Sequence, residues 1–349
     1  MRKCSIRGYL LEEVLANLTM KTGYKIFTDS SQDKELKEKR GDLWIKGRGG
    51  DHQVDVLGEL EWIPAFTLPL RLIIEAKYYT NKKVGVDVVR NSIGVLRDVN
   101  QKYLKKDPTK AQPRFRYVYS IFSASGFSSN AQKYAFTHKI SLIDLNSGIF
   151  QKLTDSIKTT ARELKEEMEE EFSESVSKKK LRKACRNIFG TKDIEGNTPS
   201  YESNQMGFKE VIKENLLETV EGYGNLFIGV VKGPFILLLK EKEKDNFLDF
   251  AKEKPNHRVK IKWDTEERGK WYIIPYNENE GYRLNFKLPE KLHKWVFGKE
   301  KKLAQQKRNA MDLKKRYMSD INVYYFEEDT ENLNVFNLKF DPQETEIEI

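Results

Sequence analysis

The stretch LRLIIEAKYY (70 to 79) constrains this chain more than any other. It follows the punctuating residues Pro64 and Pro69, and its core, residues 71 to 79, is dense in β-branched and aliphatic side chains. That is the composition of a strand buried in the middle of a sheet. Charge enters where the strand ends: Glu75 and Lys77 are two residues apart, so they point to one face of an otherwise apolar run. Paired charges in such a place are costly unless they are used or compensated. A second acid precedes them, because Asp55 sits in an extended segment just past the glycine bend GRGG (47 to 50). If the two strands pair, the carboxylates of Asp55 and Glu75 approach each other and Lys77 sets an ammonium beside them.

The flanking patterns supply the rest of a domain. Leu10, Leu11, Val14, Leu15 and Leu18 recur at helical spacing from Gly8 to about Thr22, with Gly23 as the stop. Residues 24 to 27 read as a short strand, 29 to 39 as a loop or an exposed helical turn, and 42 to 62 as a hairpin of two extended runs, LWIKG and HQVDVLGELEW. Beyond the buried strand come an amphipathic helix (85 to 104), a strand (116 to 122), a serine-capped helix in FSSNAQKYAFTH and a last strand (140 to 145). The expected order is αβββαβαβ, an α/β fold.

At 349 residues the chain is long enough for two domains at roughly 150 residues each. The expected division is a first domain over 1 to 150, a helical connector and linker over 151 to 200, and a β-rich α+β domain over 201 to 349. The connector carries the acidic block EEMEEE (166 to 171) and the basic block KKKLRKACR (178 to 186), then a Gly, Asn, Pro and Ser-rich stretch from 190 to 204. In the last part, 227 to 240, 258 to 263 and 270 to 275 look like strands, 289 to 318 like a basic helical segment before another strand pair, and 343 to 349 like an acidic tail.

A formal charge of +9 suits a polyanionic partner, since neutralised phosphates release their counterions. Only two cysteines, Cys4 and Cys185, exclude a disulfide framework and a cysteine-rich zinc site, and the expected setting is reducing and cytoplasmic. No apolar run reaches the roughly 18 residues that span a bilayer. The four histidines have no HExxH-type spacing. GRGG lacks the Lys and Ser or Thr ending of a nucleotide-binding loop and the helix that follows one, which excludes nucleotide hydrolysis.

Two carboxylates and a backbone carbonyl, here Asp55, Glu75 and Ala76, form an oxygen donor set suited to magnesium or manganese. Phosphodiester hydrolysis needs an activated water and neutralisation of the charge that develops around phosphorus, and a metal beside a lysine meets both needs. Lys77 would orient or deprotonate the water, or stabilise the transition state; burial lowers the pKa of such a lysine and neighbouring carboxylates raise it. A D…ExK triplet also arises by chance in many chains. The glycine bend, the apolar strand and the element order are what distinguish this one.

With these residues in view, 8 to 148 resembles the Mrr-like branch of the PD-(D/E)xK restriction-endonuclease superfamily. GRGGDHQVDV (47 to 56) is similar to its metal-binding hairpin, IIEAKYY (73 to 79) to its catalytic strand, Val84 to Val89 to the motif opening its next helix, and SASGFSSNAQKYAFTHKISLID (123 to 144) to the segment that closes its fold. The resemblance implies a restriction-endonuclease-like core (αβββαβ, a mixed sheet flanked by helices). It also implies catalytic residues Asp55, Glu75, Lys77 and, from the opening helix, Glu12, with Glu13 as the second choice. Many members have two glycines where this chain has His52 and Gln53, a variant the branch also contains; these two are placed either against the scissile phosphate or in support of the hairpin. Tyr78, Tyr79, Lys82 and Lys83 are nucleic-acid-binding candidates and equally ordinary loop residues, and Arg48 in the glycine bend is a further, weaker phosphate-contacting candidate. The basic segments 178 to 186 and 299 to 316 lie along DNA or are merely solvated, and Trp263, Trp271 and Trp295 line a groove or fill a core.

The expected function is a magnesium-dependent DNA endonuclease of restriction or anti-phage defence, with manganese as substitute, DNA (duplex before single strand) as partner, and a homodimer or larger assembly so that both strands are cut. A signal- or partner-triggered effector, served by an ATPase or sensor protein, is a related reading, and activity without a trigger separates the two. A junction-resolving nuclease would prefer branched DNA. A non-catalytic DNA-binding or assembly protein is the reading from a different class, and the intact triplet argues against it.

Overall fold

A computed structural model describes residues 3–62, 66–101, 115–146, 148–170, 177–198, 206–223, 226–233, 235–241, 246–264, 270–277, 281–298, 302–327, 332–340 and 342. The acidic tail at 343 to 349 and the linker positions 199 to 204 lie outside these residues. The chain divides into two compact units, Met1–Gly224 and Asn225–Ile349.

The first unit opens with α1 (Lys3–Met20), and Gly23, at φ 86°, ends the turn after it. Leu10, Leu11, Val14 and Leu15 are fully buried, and the acids Glu12 and Glu13 are buried among them. The helix is wrapped by its own unit on nearly every side. A mixed sheet has the order β1 (Tyr24–Phe27), β5 (Val56–Leu60), β6 (Leu70–Lys77), β7 (Arg116–Ser123) and β8 (Ser141–Asp144). The first two pairings are antiparallel and the last two parallel. The parallel steps are bridged by α2 (Val86–Gln101) and α3 (Ser129–His138), and α3 is capped by the Ser128 side chain as expected. On α2 the buried stripe is Val89, Ser92, Val95 and Val99.

A second, three-stranded antiparallel sheet joins β2 (Leu36–Lys39), β3 (Asp42–Lys46) and β4 (Asp51–Val54). The loop expected over 29 to 39 thus contains an edge strand. Only its Leu36 is buried, so alternation gives no signal, and the strand is set by the Arg40-Gly41 turn, whose positive φ values of 54° and 77° suit a two-residue hairpin. The extended run expected over 51 to 62 is also divided. At Asp55 the chain leaves the small sheet and enters the large one.

Helices α4 (Gln151–Glu170), α5 (Lys178–Phe189), α6 (Met206–Ile212) and α7 (Glu218–Glu221), the last two joined by a π-helical turn over Lys213–Leu217, complete the first unit. The helices read as a connector therefore pack within it, with α4 and α5 against α1.

The second unit is a closed seven-stranded barrel of order β10-β13-β12-β11-β15-β14-β9. Its elements are β9 (Leu226–Val230), β10 (Ile236–Glu241), α8 (Asn246–Glu253), β11 (Asn256–Trp263), β12 (Trp271–Pro275), β13 (Leu284–Phe286), α9 (Glu290–Phe297), α10 (Leu303–Tyr317), β14 (Asp320–Glu327) and β15 (Asn332–Phe340). Alternate residues such as Val259, Ile261, Trp271, Ile273, Leu284 and Phe286 are buried. No described helix of either unit is long and apolar enough to cross a membrane.

Candidate active site

Asp55, Glu75 and Lys77 come together. The β5–β6 register pairs Val56 with Ile74, which sets Asp55 beside the end of β6, and the Asp55 Oδ2 accepts a 2.8 Å hydrogen bond from the Ala76 amide. Glu75 and Lys77 share the half-buried face of β6, with Lys77 Nζ 2.6 Å from Glu75 Oε1. The other oxygen of Glu75 accepts from the Tyr119 hydroxyl of β7 at 2.6 Å. All three line one cleft of about 310 Å³, with Trp44, Gln53 and Tyr119 among its walls.

Glu75 and Lys77 are not the sole charges of β6, because Arg71 lies on the same strand and is 2% exposed. It is fully compensated: Nε donates to Glu59 at 2.7 Å, a second nitrogen meets Asp33, and the guanidinium stacks 3.4 Å from the centre of the Phe115 ring. Arg71 shows what a structural buried charge in this strand looks like. Glu75 and Lys77 differ from it by facing an open cleft.

Of the two glutamates on α1, Glu12 is the one that Asp55 influences electrostatically. Burial, then the charge of Asp55, raises its pKa well above the usual carboxylate range, against the pull of Arg182. Glu13 forms a two-pronged pair with Arg186 at 2.7 and 2.9 Å. Asp55 is likewise raised, first by burial and then by Glu75, although Lys77 and the Ala76 amide oppose the shift. Burial disfavours the charged form of Lys77, but Glu75 and Asp55 outweigh it and hold its pKa above the ordinary lysine value. In this state Lys77 is a cation, which suits an electrostatic or orienting role better than that of a base.

The residue that sequence reasoning missed is Arg182. It arises in the supposed connector, on α5, and lies 7% exposed with one guanidinium nitrogen on Glu12, Nε 3.3 Å from Glu13 and another nitrogen 3.5 Å from Asp42. A signal existed, since Leu181, Cys185 and Phe189 mark the buried stripe of α5 and Arg182 is a basic residue beside it. Asp55 also borders a second depression of about 220 Å³ whose far wall is α5, with Lys179, Arg182, Lys183 and Arg186.

The remaining candidates separate by position. His52 Nε2 donates to the carboxylate of Asp98 on α2 across 2.7 Å, and Asp98 also takes the Gly49 amide at 2.8 Å, so this histidine clasps the glycine bend to α2. The bend needs glycine at its first position, where an added Cβ would lie 2.0 Å from Asp98 Oδ2. Gln53 is exposed on the cleft wall, and Arg48 is exposed at the tip of the bend. Tyr79 packs against the core with Lys82 4.6 Å above its ring, Lys83 is exposed, and Tyr78 donates to the Thr154 carbonyl at 3.0 Å. In the barrel Trp271 is fully buried, whereas Trp295 is 37% exposed.

Among the described residues no cluster of three or more His, Cys, Asp or Glu side chains forms a ready metal cage. Two carboxylates and a carbonyl nevertheless make a hard-oxygen set, and the proton affinity of Asp55 and Glu12, raised first by burial and then by a neighbouring carboxylate, is a shift that a divalent cation would oppose. The residues present fit such an ion.

No family model matches the chain, and no curated protein matches it. Among solved structures it is similar to AF1548, described as a protein of unknown function, at 16% identity and a TM-score of 0.33 over 61% of this chain and 98% of that one. A likeness of that size carries no argument.

Proposed function

We propose that the first unit is a divalent-metal-dependent endonuclease of the Mrr-like PD-(D/E)xK type, hydrolysing DNA phosphodiester bonds. The observation that carries this reading is the convergence of Asp55, Glu75 and Lys77 on one cleft, with Asp55 fixed to the strand that bears the other two. The mixed sheet flanked by helices supports the reading at the level of a mixed α/β fold.

Asp55, Glu75 and the Ala76 carbonyl would hold Mg²⁺, or Mn²⁺ in its place, and the ion supplies Lewis-acid charge at the phosphate. Lys77 places a positive charge where the phosphorane gains negative charge. Tyr119 fixes the orientation of Glu75, and the carboxylate of Glu12 lies within electrostatic reach of Asp55, where it would order a water. Arg182 keeps Glu12 in place. The setting proposed is restriction or anti-phage defence.

The test is cleavage of plasmid and single-stranded DNA by the full chain in magnesium, manganese or EDTA, beside Asp55→Ala and Lys77→Ala variants of matched thermal stability. Metal-dependent cutting lost in both variants supports the assignment. Cutting that persists in Asp55→Ala, or that is indifferent to EDTA, refutes it.

A further inference from the structure

Among the described residues three arginines are buried: Arg7 at 8%, Arg71 at 2% and Arg182 at 7% exposure. Acids compensate two of them, Asp33 and Glu59 for Arg71 and Glu12, Glu13 and Asp42 for Arg182. Arg7, on the second turn of α1, has no carboxylate within ion-pair distance among the described residues. Its contacts are one long hydrogen bond, 3.5 Å from a terminal nitrogen to the Thr80 hydroxyl oxygen, and a stack 5.7 Å from the centre of the Tyr78 ring. Its Nε is buried with no hydrogen-bond partner. Asp155 of α4 acts on the same Tyr78 phenol, yet it makes no ion pair with Arg7 and accepts from Gln151 at 2.9 Å.

A guanidinium carries five donors and keeps its charge at any working pH, and burying one without an anion is costly. The fold therefore holds a desolvated cation most of whose donors are unspent, the condition in which a guanidinium binds an anion strongly. Its position says which anion. Thr80 is exposed, so the tip of Arg7 that meets it is at the surface while the stem is covered. Thr80 follows Lys77, the last residue of β6, by three residues, a span of at most about 10 Å. Each strand of DNA carries a phosphate about every 3.4 Å of axis, so a strand whose scissile phosphate lies at Lys77 brings another, within about three nucleotides of the cut, to Arg7. Arg7 does not line the cleft of Asp55, Glu75 and Lys77. Its ligand is a neighbouring phosphate and not the reacting one.

We infer that Arg7 and Thr80 bind a phosphodiester of the substrate strand beside the scissile one, Arg7 through the paired terminal nitrogens of its fork and Thr80 through its hydroxyl. The identity of the ligand rests on the nuclease reading; the unpaired buried guanidinium does not. The site would fix the register of the strand over the cleft.

The experiment is fluorescence anisotropy of a short labelled DNA duplex with the full chain carrying Asp55→Ala, in EDTA, so that cutting plays no part, beside calorimetric melting of the same proteins. Arg7→Met keeps the stem and removes the fork. It is expected to weaken binding at least about tenfold and to lower the slope of log affinity against log salt by about 0.9, one phosphate contact, with no fall in melting temperature because the charge it removes was uncompensated. Arg7→Lys is expected to keep the slope and lose part of the affinity. Thr80→Glu, at an exposed position, sets a carboxylate on Arg7: it is expected to raise the melting temperature and weaken binding, and the gain in melting temperature is expected to vanish in Arg7→Met/Thr80→Glu. Should Arg7→Met melt lower than its parent, Thr80→Glu and its dependence on Arg7 decide the matter. Unchanged binding in these variants, weakened binding with an unchanged salt slope in Arg7→Met, or no measurable binding by the Asp55→Ala chain overturns the inference. If Arg7 and Thr80 govern binding while Asp55-dependent cleavage is not found, only the nuclease reading falls; if cleavage depends on Asp55 and the Arg7 and Thr80 variants bind as their parent does, only the phosphate site falls.

Discussion

Lys314 is the most exposing test of the barrel's energetics. It lies on α10, 5% exposed, with no ion-pair partner among the described residues, and its ammonium sits 5.4 Å from the Trp263 ring, 5.9 Å from Trp271 and 5.4 Å from Phe340. Burial, and then the like charge of Lys262, lowers its pKa from 10.5 to about 8. A fall of that size corresponds to about 3 kcal/mol of folding free energy forgone wherever the folded lysine is charged. The sign follows from the direction. Below pH 8 both folded and unfolded chains carry the proton and the full penalty applies; between about 8 and 10.5 the unfolded chain binds a proton that the folded one has released, so stability rises with pH.

Lys314→Met keeps the aliphatic stem and removes the charge, at the loss of cation–π attraction worth about 1–2 kcal/mol in a desolvated setting. The net expectation is a gain of about 1–2 kcal/mol at pH 7, or roughly 3–8 °C in melting temperature for a unit of this size. Calorimetric melting of the full chain at pH 7, 8.5 and 10 reads it on the transition that shifts. The difference between variant and parent should shrink steadily over that range. A variant less stable than the parent at pH 7, or a difference that does not change with pH, refutes the reasoning.

Other expectations concern the proposed catalytic centre. Arg182→Met leaves the buried Glu12 without its guanidinium and should cost about 3 kcal/mol at pH 8 and distinctly less at pH 5, where the glutamate takes a proton; urea denaturation at the two pH values checks it, and equal losses count against it. Glu12 has a folded pKa above its unfolded one, so its contribution is favourable at low pH and is lost as pH rises through the folded value. Glu12→Gln in EDTA should therefore gain stability relative to the parent between pH 5 and pH 8, while losing cleavage. Gly47→Ala drives a methyl into Asp98 and the Gly50 carbonyl, 2.0 and 2.6 Å away; it should destabilise by about 1–3 kcal/mol and depress cutting, because the His52 clasp positions the strand that leads to Asp55.

Helix α1, the buried strand β6, the capped helix α3 and the strands around them were legible because each depends on local periodicity that burial imposes directly on sequence. The edge strand β2 was not: with Leu36 its only buried residue, it exists because β3 offers it a ladder. The two-sheet split at Asp55 was equally hidden, since DHQV and VLGEL read as one extended run although hydrogen bonding sends them to different partners. Helix α5 was read correctly as a helix, but its service to Glu12 depends on a contact 170 residues apart.

Local periodicity dictated which side chains could share a face, as it did for Glu75 and Lys77 through the two-residue period of a strand. Tertiary structure alone decided what those faces meet. It set Asp55 against Ala76, put Tyr119 on Glu75 and Arg182 on Glu12, joined β11 to β15 across about 80 residues of chain to close the barrel, and left Lys314 without an acid among the described residues. Periodicity is a property of neighbouring residues and survives in one dimension, whereas ion pairing, desolvation and strand partnership depend on distances that only the folded chain defines.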